Sequence, residues 1–151
     1  MNLEFQSVSS DLLLRNLAQF RFELRRFLQF SENAALEAGL HPQQHQLLLQ
    51  AAGAPEGTAV TIAYAAARLG LKHNSAVELV DRSEREGLLE RTADPDDKRR
   101  AILQVTRKGK RILNRLSGDH AQELNEQAPH LLQALEHIRK HAQPRSARMA
   151  R

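Results

Sequence analysis

The sequence predicts a mainly α-helical fold with one small β-hairpin. Apolar residues recur at steps of three and four along both ends of the chain, which is the period of an amphipathic helix. Two short apolar runs near residue 100 flank a turn rich in aspartate and proline, which is typical of a hairpin. The 151 residues suit one domain, or two lobes that share a core.

Cysteine is absent, so disulfides, thiolate metal sites and thiol-based redox switching are excluded. No apolar run approaches the roughly 20 residues of a membrane span. The N-terminus also lacks the basic-then-apolar pattern of a signal peptide. We therefore expect a soluble, cytoplasmic protein.

The first helix is expected over residues 11–38, where leucines and phenylalanines keep the helical period until Gly39 favours a helix end. This helix is longer than a compact bundle of this size needs, so we expect a partner chain to cover part of it. A second helix is predicted from Pro42, because proline suits the first helical position.

Two shorter helices are predicted in the middle of the chain. Thr61 can cap the third helix, and Gly70 can end it. The fourth helix is expected to start with Asn74 or Ser75 as its cap and to stop at Gly87.

The hairpin strands are expected over residues 88–92 and 101–106. The helical period returns after Gly109, and a last helix is predicted from about Pro129 to His141. The polar and basic tail, residues 143–151, is expected to be disordered.

The positive charge of the chain is concentrated in its middle. Residues 60–115 hold 13 Lys and Arg against 8 Asp and Glu, a net charge of +5, and the remaining residues hold 9 against 10. A basic lobe inside a nearly neutral protein is the electrostatic pattern of a nucleic-acid binder.

Two helices joined by a tight turn and followed by a hairpin form a winged helix-turn-helix. The second helix of such a pair enters the major groove of DNA, where its N-terminal residues face the base edges. The side chains at that end are His73, Asn74, Ser75 and Glu78. We expect these four to read bases and Arg82 to set the register on the DNA backbone.

The hairpin tip carries three consecutive cations: Lys98, Arg99 and Arg100. In a winged helix they would meet backbone phosphates or the minor groove. Asp97 is expected to support the wing by accepting hydrogen bonds that aim an arginine. The alternative is a solvated turn, in which Asp94, Asp96 and Asp97 pair locally with the cations.

The stretch SAVELVDRSEREGLLERTADPDDKRRAILQVTRKG, with the order of the elements, resembles the multiple-antibiotic-resistance regulator (MarR) family of dimeric bacterial winged-helix transcription factors. The matching residues are Ser75, Val77, Val80, Asp81, Arg82 and Gly87, then Asp94, Pro95, Asp97, Arg99, Thr106 and Gly109. The chain departs from the family pattern at Ser83, where leucine is usual, and in the third helix, where Tyr64 and the alanines 65–67 replace commoner acidic and leucine residues.

The resemblance implies a homodimer, and a repressor is the role we expect. Residues 1–39 and 112–142 would form the dimerisation helices, and residues 40–111 the DNA-binding lobe. Two recognition helices related by a two-fold axis would read a pseudo-palindrome with half-sites roughly 34 Å apart.

Many members of the family release DNA when a small aromatic or anionic molecule binds between the lobes. The candidate pocket residues here are Phe20, Phe27, His45 and Tyr64. Packing in the core is the alternative role for the aromatic side chains.

The sequence contains no nucleophile–base pairing, glycine-rich phosphate loop or paired carboxylate motif, so we expect no enzyme. His41 with His45, and His137 with His141, have the i, i+4 spacing of two metal ligands on one helix face. No carboxylate completes either pair, so we expect no metal and no cofactor. A winged helix that serves only as a protein-interaction module remains the alternative to a DNA reader, although such a module would not need an arginine-rich wing.

Overall fold

The computed structural model describes residues 2–142, and their side chains from residue 9 onward. Its elements are α1 (Asn2–Glu37), α2 (Pro42–Ala52), α3 (Ile62–Leu69), α4 (His73–Arg85), β1 (Leu89–Ala93), β2 (Ala101–Val105) and α5 (Arg107–His141). The predicted fold class, mainly α-helical with a hairpin wing, is confirmed. None of these helices is long and apolar enough to cross a membrane. The tail predicted to be disordered, residues 143–151, lies outside the described residues.

The two terminal helices are longer than the sequence pattern predicts. Helix α1 already begins at Asn2 rather than at residue 11. Helix α5 is continuous from Arg107, so the prediction of a separate last helix from Pro129 is wrong. Proline removes one backbone hydrogen bond from a helix. Burial of Gln127 and Ala134, one on each side of the exposed Pro129, holds the helix together through this position.

The described chain divides into two compact units, one of residues 2–30 with 120–142 and one of residues 31–119. The sequence predicts the same order, with a central lobe between two terminal segments. The predicted central lobe, residues 40–111, is shorter than the unit of residues 31–119 in the structure. We call the second of these units the winged-helix unit.

A single apolar core holds the winged-helix unit together. It is formed by Ala35, Leu40, Leu47, Leu48, Val60, Ala65, Leu79, Val80, Leu88, Leu89, Leu103, Leu113 and Leu116. Strands β1 and β2 pair antiparallel, with Leu89 opposite Val105 and Ala93 opposite Ala101. The Leu103 amide on the other edge of β2 donates to the Val60 carbonyl at 2.8 Å, which fastens the hairpin to the segment before α3.

Local capping sets the ends of the helices around the turn. Thr61 caps α3 as predicted, since its Oγ1 accepts a hydrogen bond from the Tyr64 amide at 3.1 Å. Gly70 ends α3 with a φ of 64°, in the left-handed region that favours glycine. The predicted cap of α4 is wrong: Asn74 and Ser75 both lie inside the helix, whose N-cap residue is Lys72.

The other unit consists of the first part of α1 and the second part of α5. The His120 ring meets Phe27 and Phe30 edge-on, at centroid distances of 5.8 and 5.3 Å. Glu23 is buried and accepts a hydrogen bond from Gln19 at 3.0 Å. Among the described side chains of this unit, eight large apolar ones are exposed: Leu12, Leu14, Leu17, Phe22, Leu28, Leu124, Leu132 and Leu135.

Candidate nucleic-acid interface

Helix α4 has one buried face and one exposed face. Ala76, Leu79, Val80 and Ser83 are buried, at the i, i+3, i+4, i+7 spacing of one helix face. The five α4 residues predicted to contact DNA all lie exposed: His73, Asn74, Ser75, Glu78 and Arg82. The structure thus leaves these side chains available on the surface of the winged-helix unit.

The N-terminus of α4 has no side-chain cap. Lys72 occupies the N-cap position, and its side chain makes no capping hydrogen bond. The first backbone N–H groups of a helix have no partner within the helix, and with the helix dipole they form a site for an anion. Such a helix end suits a DNA phosphate.

Arg91 ties the hairpin to the recognition helix, and sequence reasoning missed this contact. From β1, its guanidinium pairs with the Asp81 carboxylate and, at 3.5 Å, with Glu84, both of which lie on α4. A pair of ion pairs between two elements restricts their relative orientation. The only signal in the sequence is the i, i+3 spacing of two acids on a helix directly before a basic strand, which does not by itself specify a partner.

Asp94 holds the tip of the wing together, through the local pairing that the sequence left open as the alternative to DNA contact. Its side chain is only 4% exposed, and its Oδ2 accepts a hydrogen bond from Nε of Arg100 at 2.5 Å. Its Oδ1 accepts from the Asp96 amide at 2.9 Å, which is the pattern of an Asx turn. The sequence contains a signal for this hydrogen bond, because an aspartate at the start of a turn commonly accepts from the backbone amide two residues later.

Asp97 contacts Arg99 in the geometry expected of a wing support. Its Oδ1 accepts from the backbone amide of Arg99 at 3.0 Å and from Nε at 3.2 Å. The Arg99 side chain is nevertheless 91% exposed. Because Asp97 engages only Nε among the side-chain nitrogens, the two terminal nitrogens of Arg99 point into solvent with N–H groups to donate.

Two of the three tip cations therefore pair with neighbouring aspartates, as in the alternative that the sequence left open. Arg100 pairs with Asp94 and keeps a side chain that is 48% exposed, and Arg99 pairs with Asp97. The third cation, Lys98, is exposed. Local pairing and DNA contact are compatible here, since the side chains of both paired arginines stay exposed.

These contacts shift the protonation equilibria at the tip. The hydrogen bond from the Asp96 amide, with the Arg100 guanidinium, lowers the pKa of Asp94 below its ordinary value of 3.8. The Arg99 amide and then its guanidinium lower the pKa of Asp97 in the same way. The Asp94 carboxylate raises the pKa of Arg100. All three groups are charged at neutral pH, so the tip is a fixed set of ion pairs.

The base of the wing is fixed by Thr106 and Gly109. Thr106 Oγ1 donates to the Gly87 carbonyl at 2.6 Å and accepts from the Gly109 amide at 3.1 Å. A Cβ atom at position 109 would lie 2.3 Å from the backbone oxygen of Leu88. Only glycine allows the start of α5 to approach the backbone of Leu88, directly before β1, this closely, which explains this part of the motif.

Ser83, the departure from the family pattern, is fully buried. Its Oγ donates to the Leu79 carbonyl at 2.8 Å, so the helix itself satisfies the hydroxyl. The smaller side chain thus lies in the core with its polar group hydrogen-bonded.

The candidate effector residues are distributed over both units. Phe20 and Phe27 belong to the unit of the terminal helices, where Phe27 packs against His120. His45 is buried in the winged-helix unit, and Tyr64 packs against its core. Their role in ligand binding stays a prediction.

The histidine pairs make local contacts. His41 caps α2 by accepting from the Gln43 amide at 3.2 Å, and Nδ1 of His141 lies 2.7 Å from the His137 carbonyl oxygen. Among the described side chains, residues 9–142, no three His, Asp or Glu lie close enough together to hold a metal ion.

A helix with one exposed face behind a tight turn, followed by a hairpin that carries three cations at its tip, defines a winged helix-turn-helix. The MarR family model matches residues 38–100, which span α2 to the wing tip. The predicted resemblance to the MarR family of transcriptional regulators is therefore confirmed. No curated protein matches the sequence.

Solved structures share this fold. A MarR family transcription regulator is 23% identical, with a TM-score of 0.68, over 79% of this chain and 77% of its own. CouR from Rhodococcus jostii, bound to p-coumaroyl-CoA, is 29% identical, with a TM-score of 0.58, over 67% of this chain and 69% of its own. A mutant of MepR from S. aureus, bound to an oligodeoxyribonucleotide, is 19% identical, with a TM-score of 0.60, over 77% of this chain and 91% of its own.

Proposed function

We propose that this protein is a homodimeric transcriptional regulator that binds a pseudo-palindromic site in double-stranded DNA. We further propose that it acts in the cytoplasm as a repressor, that a small aromatic or anionic molecule releases it from DNA, and that it has no enzymatic activity. The observation that carries the proposal is that one compact unit combines the exposed face of α4, whose N-terminus has no side-chain cap, with a wing tip that carries three exposed cations.

The contacts of the wing support a divided role for the DNA-binding residues. His73, Asn74, Ser75 and Glu78 would face base edges, where Asn and His pair with purines and a glutamate accepts from cytosine N4. Arg82 and the tip cations would contact phosphates and set the register. Asp97 would orient Arg99, and Arg91 would hold the hairpin at a fixed angle to α4.

The exposed apolar side chains of the terminal helices support the homodimer. Leu132 is 64% exposed, Leu14 is 61% exposed and Phe22 is 54% exposed. Several large apolar side chains left exposed on one unit favour an interface there. A second copy of the chain is the partner that a two-fold DNA site requires, because a two-fold interface uses the same surface on both subunits.

The effector part of the proposal is supported by CouR, whose bound p-coumaroyl-CoA is both aromatic and anionic. Phe20, Phe27, His45 and Tyr64 are the residues proposed to meet such a molecule. Release from labelled operator DNA by candidate aromatic acids and their thioesters would identify it, with Tyr64→Ala as the variant expected to weaken the response.

Selection from random DNA duplexes over a salt series tests the proposed function. We expect enrichment of a pseudo-palindrome, bound by two chains, with an affinity that falls steeply as salt rises. A pool without enrichment, bound weakly or without salt dependence, would contradict the proposal and favour the protein-interaction module instead.

A further inference from the structure

The start of α5 carries charge of the wrong sign for a helix N-terminus. Its first five residues, Arg107 to Arg111, include four cations, and the first turn contains no acid. The N-terminal end of a helix dipole is positive and favours anions. Arg107 and Arg111 are also i, i+4 neighbours, and like charges at this spacing destabilise a helix.

Protein groups offset this repulsion only in part. Lys108 donates from Nζ to the Glu86 carbonyl oxygen at 2.8 Å. In the described part of the chain, the ion pairs found involve neither Arg107 nor Lys110 nor Arg111. Among the described residues, these three cations on one helix face therefore have no anionic partner.

These three cations line a groove of about 320 Å³. Its lining is Val105, Thr106, Arg107, Lys110, Arg111 and Asn114. The four helical residues recur at i, i+3, i+4 and i+7 and therefore share one face of α5. The lining includes no acid, and Asn114 and Thr106 add neutral hydrogen-bonding groups. The volume lies in the range of small-molecule sites, about 300–1,000 Å³.

We propose that this groove binds the phosphate or pyrophosphate group of a small molecule. Three converging cations balance two or more negative charges, which favours a phosphate over a single carboxylate. Arginine forks donate two parallel hydrogen bonds to phosphate oxygens, and a lysine adds a mobile point charge. A bound phosphate would remove the repulsion within the first turns of α5.

The location of the groove favours a small molecule over DNA as the source of the phosphate. It lies at the end of β2 away from the tip, and a strand of five residues separates the two by roughly 17 Å. Through Lys108 and Thr106, the start of α5 contacts Glu86 and Gly87, just beyond the C-terminal end of α4. The N-terminal end of α4, proposed to read bases, is about 20 Å away along 13 helical residues.

Titration of the full chain with inorganic pyrophosphate, at constant ionic strength and followed by backbone amide shifts, tests this site. We expect saturable shifts at Thr106, Lys110 and Asn114, and at least tenfold weaker binding in Arg111→Gln. Arg115→Gln is the matched control. It also removes an exposed arginine, one turn further along α5 and outside the groove, and should change the affinity for pyrophosphate less than twofold.

Three outcomes would overturn the proposal. Shifts that never saturate would mean that there is no site, and equally weakened binding in both variants would mean a diffuse positive field. A weaker salt dependence of DNA binding in Arg111→Gln, with no pyrophosphate binding, would assign the groove to DNA phosphates. The proposed phosphate site does not depend on the proposed function, because pyrophosphate binding is measured without DNA. A failed selection of operator DNA would therefore not count against this site.

Discussion

The Asp94 carboxylate and the Arg100 guanidinium meet at 2.5 Å across the tip of the wing, with the aspartate almost fully buried and the arginine half exposed. This ion pair closes the turn between the two strands. The turn needs it, because three cations in a row at positions 98 to 100 would otherwise repel one another.

The lowered pKa of Asp94 predicts how the wing responds to acid. A carboxyl group with a folded-state pKa below its ordinary 3.8 stabilises the fold above pH 3.8, and that contribution is lost as the pH falls through the lowered value. We therefore expect the Asp94 carboxyl carbon to titrate in an NMR experiment with a midpoint below 3.8, with the Asp96 amide signal shifting in parallel. Asp94→Asn should remove the linked amide titration, and a midpoint above 3.8 would contradict the described geometry.

Gly109 should tolerate no side chain. In Gly109→Ala, the new methyl group would meet the Leu88 carbonyl oxygen at 2.3 Å and Val105 Cγ1 at 2.8 Å. Backbone cannot move as a flexible side chain can, so we expect a loss of about 1–3 kcal/mol in the free energy of unfolding by urea.

Gly118→Ala is the control for this substitution on the same helix. The space beside Gly118 is open, so alanine should stabilise α5 by about 0.5–1 kcal/mol through its higher helix propensity. Equal effects at the two positions would mean that the close approach of α5 to Leu88 does not exist.

Ser83 tests whether the core has closed around the smaller side chain. Ser83→Ala should lower the free energy of unfolding by less than about 1 kcal/mol, because it removes only a hydrogen bond to the already bonded Leu79 carbonyl. Ser83→Leu restores the usual family residue but should overpack the site and lower stability by about 1–3 kcal/mol. A more stable leucine variant would reveal unfilled space around α4.

The terminal helices should hold the proposed dimer. The double variant Leu132→Glu, Leu135→Glu places two charges on the exposed apolar face of α5, so we expect light scattering to give the mass of one chain, 17.0 kDa, instead of two. Leu49→Glu is the control, since Leu49 is 39% exposed but lies on α2 in the other unit. A wild-type protein that is already monomeric would contradict the homodimer.

Local signals in the sequence account for most of the winged-helix unit. Thr61 and Gly70 bound α3 as predicted, because a cap and a left-handed glycine act within one turn of the chain. The same reasoning failed for α4, where the helix starts before Asn74 despite suitable capping residues. Tertiary packing of Ala76 and Leu79 fixes where this helix begins, and no local preference encodes that packing.

The remaining features depend on contacts between distant residues. The continuity of α5 through Pro129 follows from burial on both sides, whereas the local rule predicts a break. The pairing of Arg91 with Asp81 joins a strand to a helix ten residues earlier. The chemistry of the exposed candidate residues, and Asp97 as a partner for a wing arginine, could be predicted from the sequence, but the contacts of Arg91 with α4 could not.

The salt dependence of DNA binding by Arg99→Gln tests the central claim most directly. If Arg99 binds a phosphate, the variant should bind operator DNA more weakly, and the log–log salt slope should fall in magnitude by about 0.9 for each phosphate that the protein no longer neutralises. Arg139→Gln, an exposed arginine of the other unit, should leave the slope unchanged. An unchanged slope in Arg99→Gln would mean that the wing tip is a solvated turn, and it would contradict the DNA-reading account.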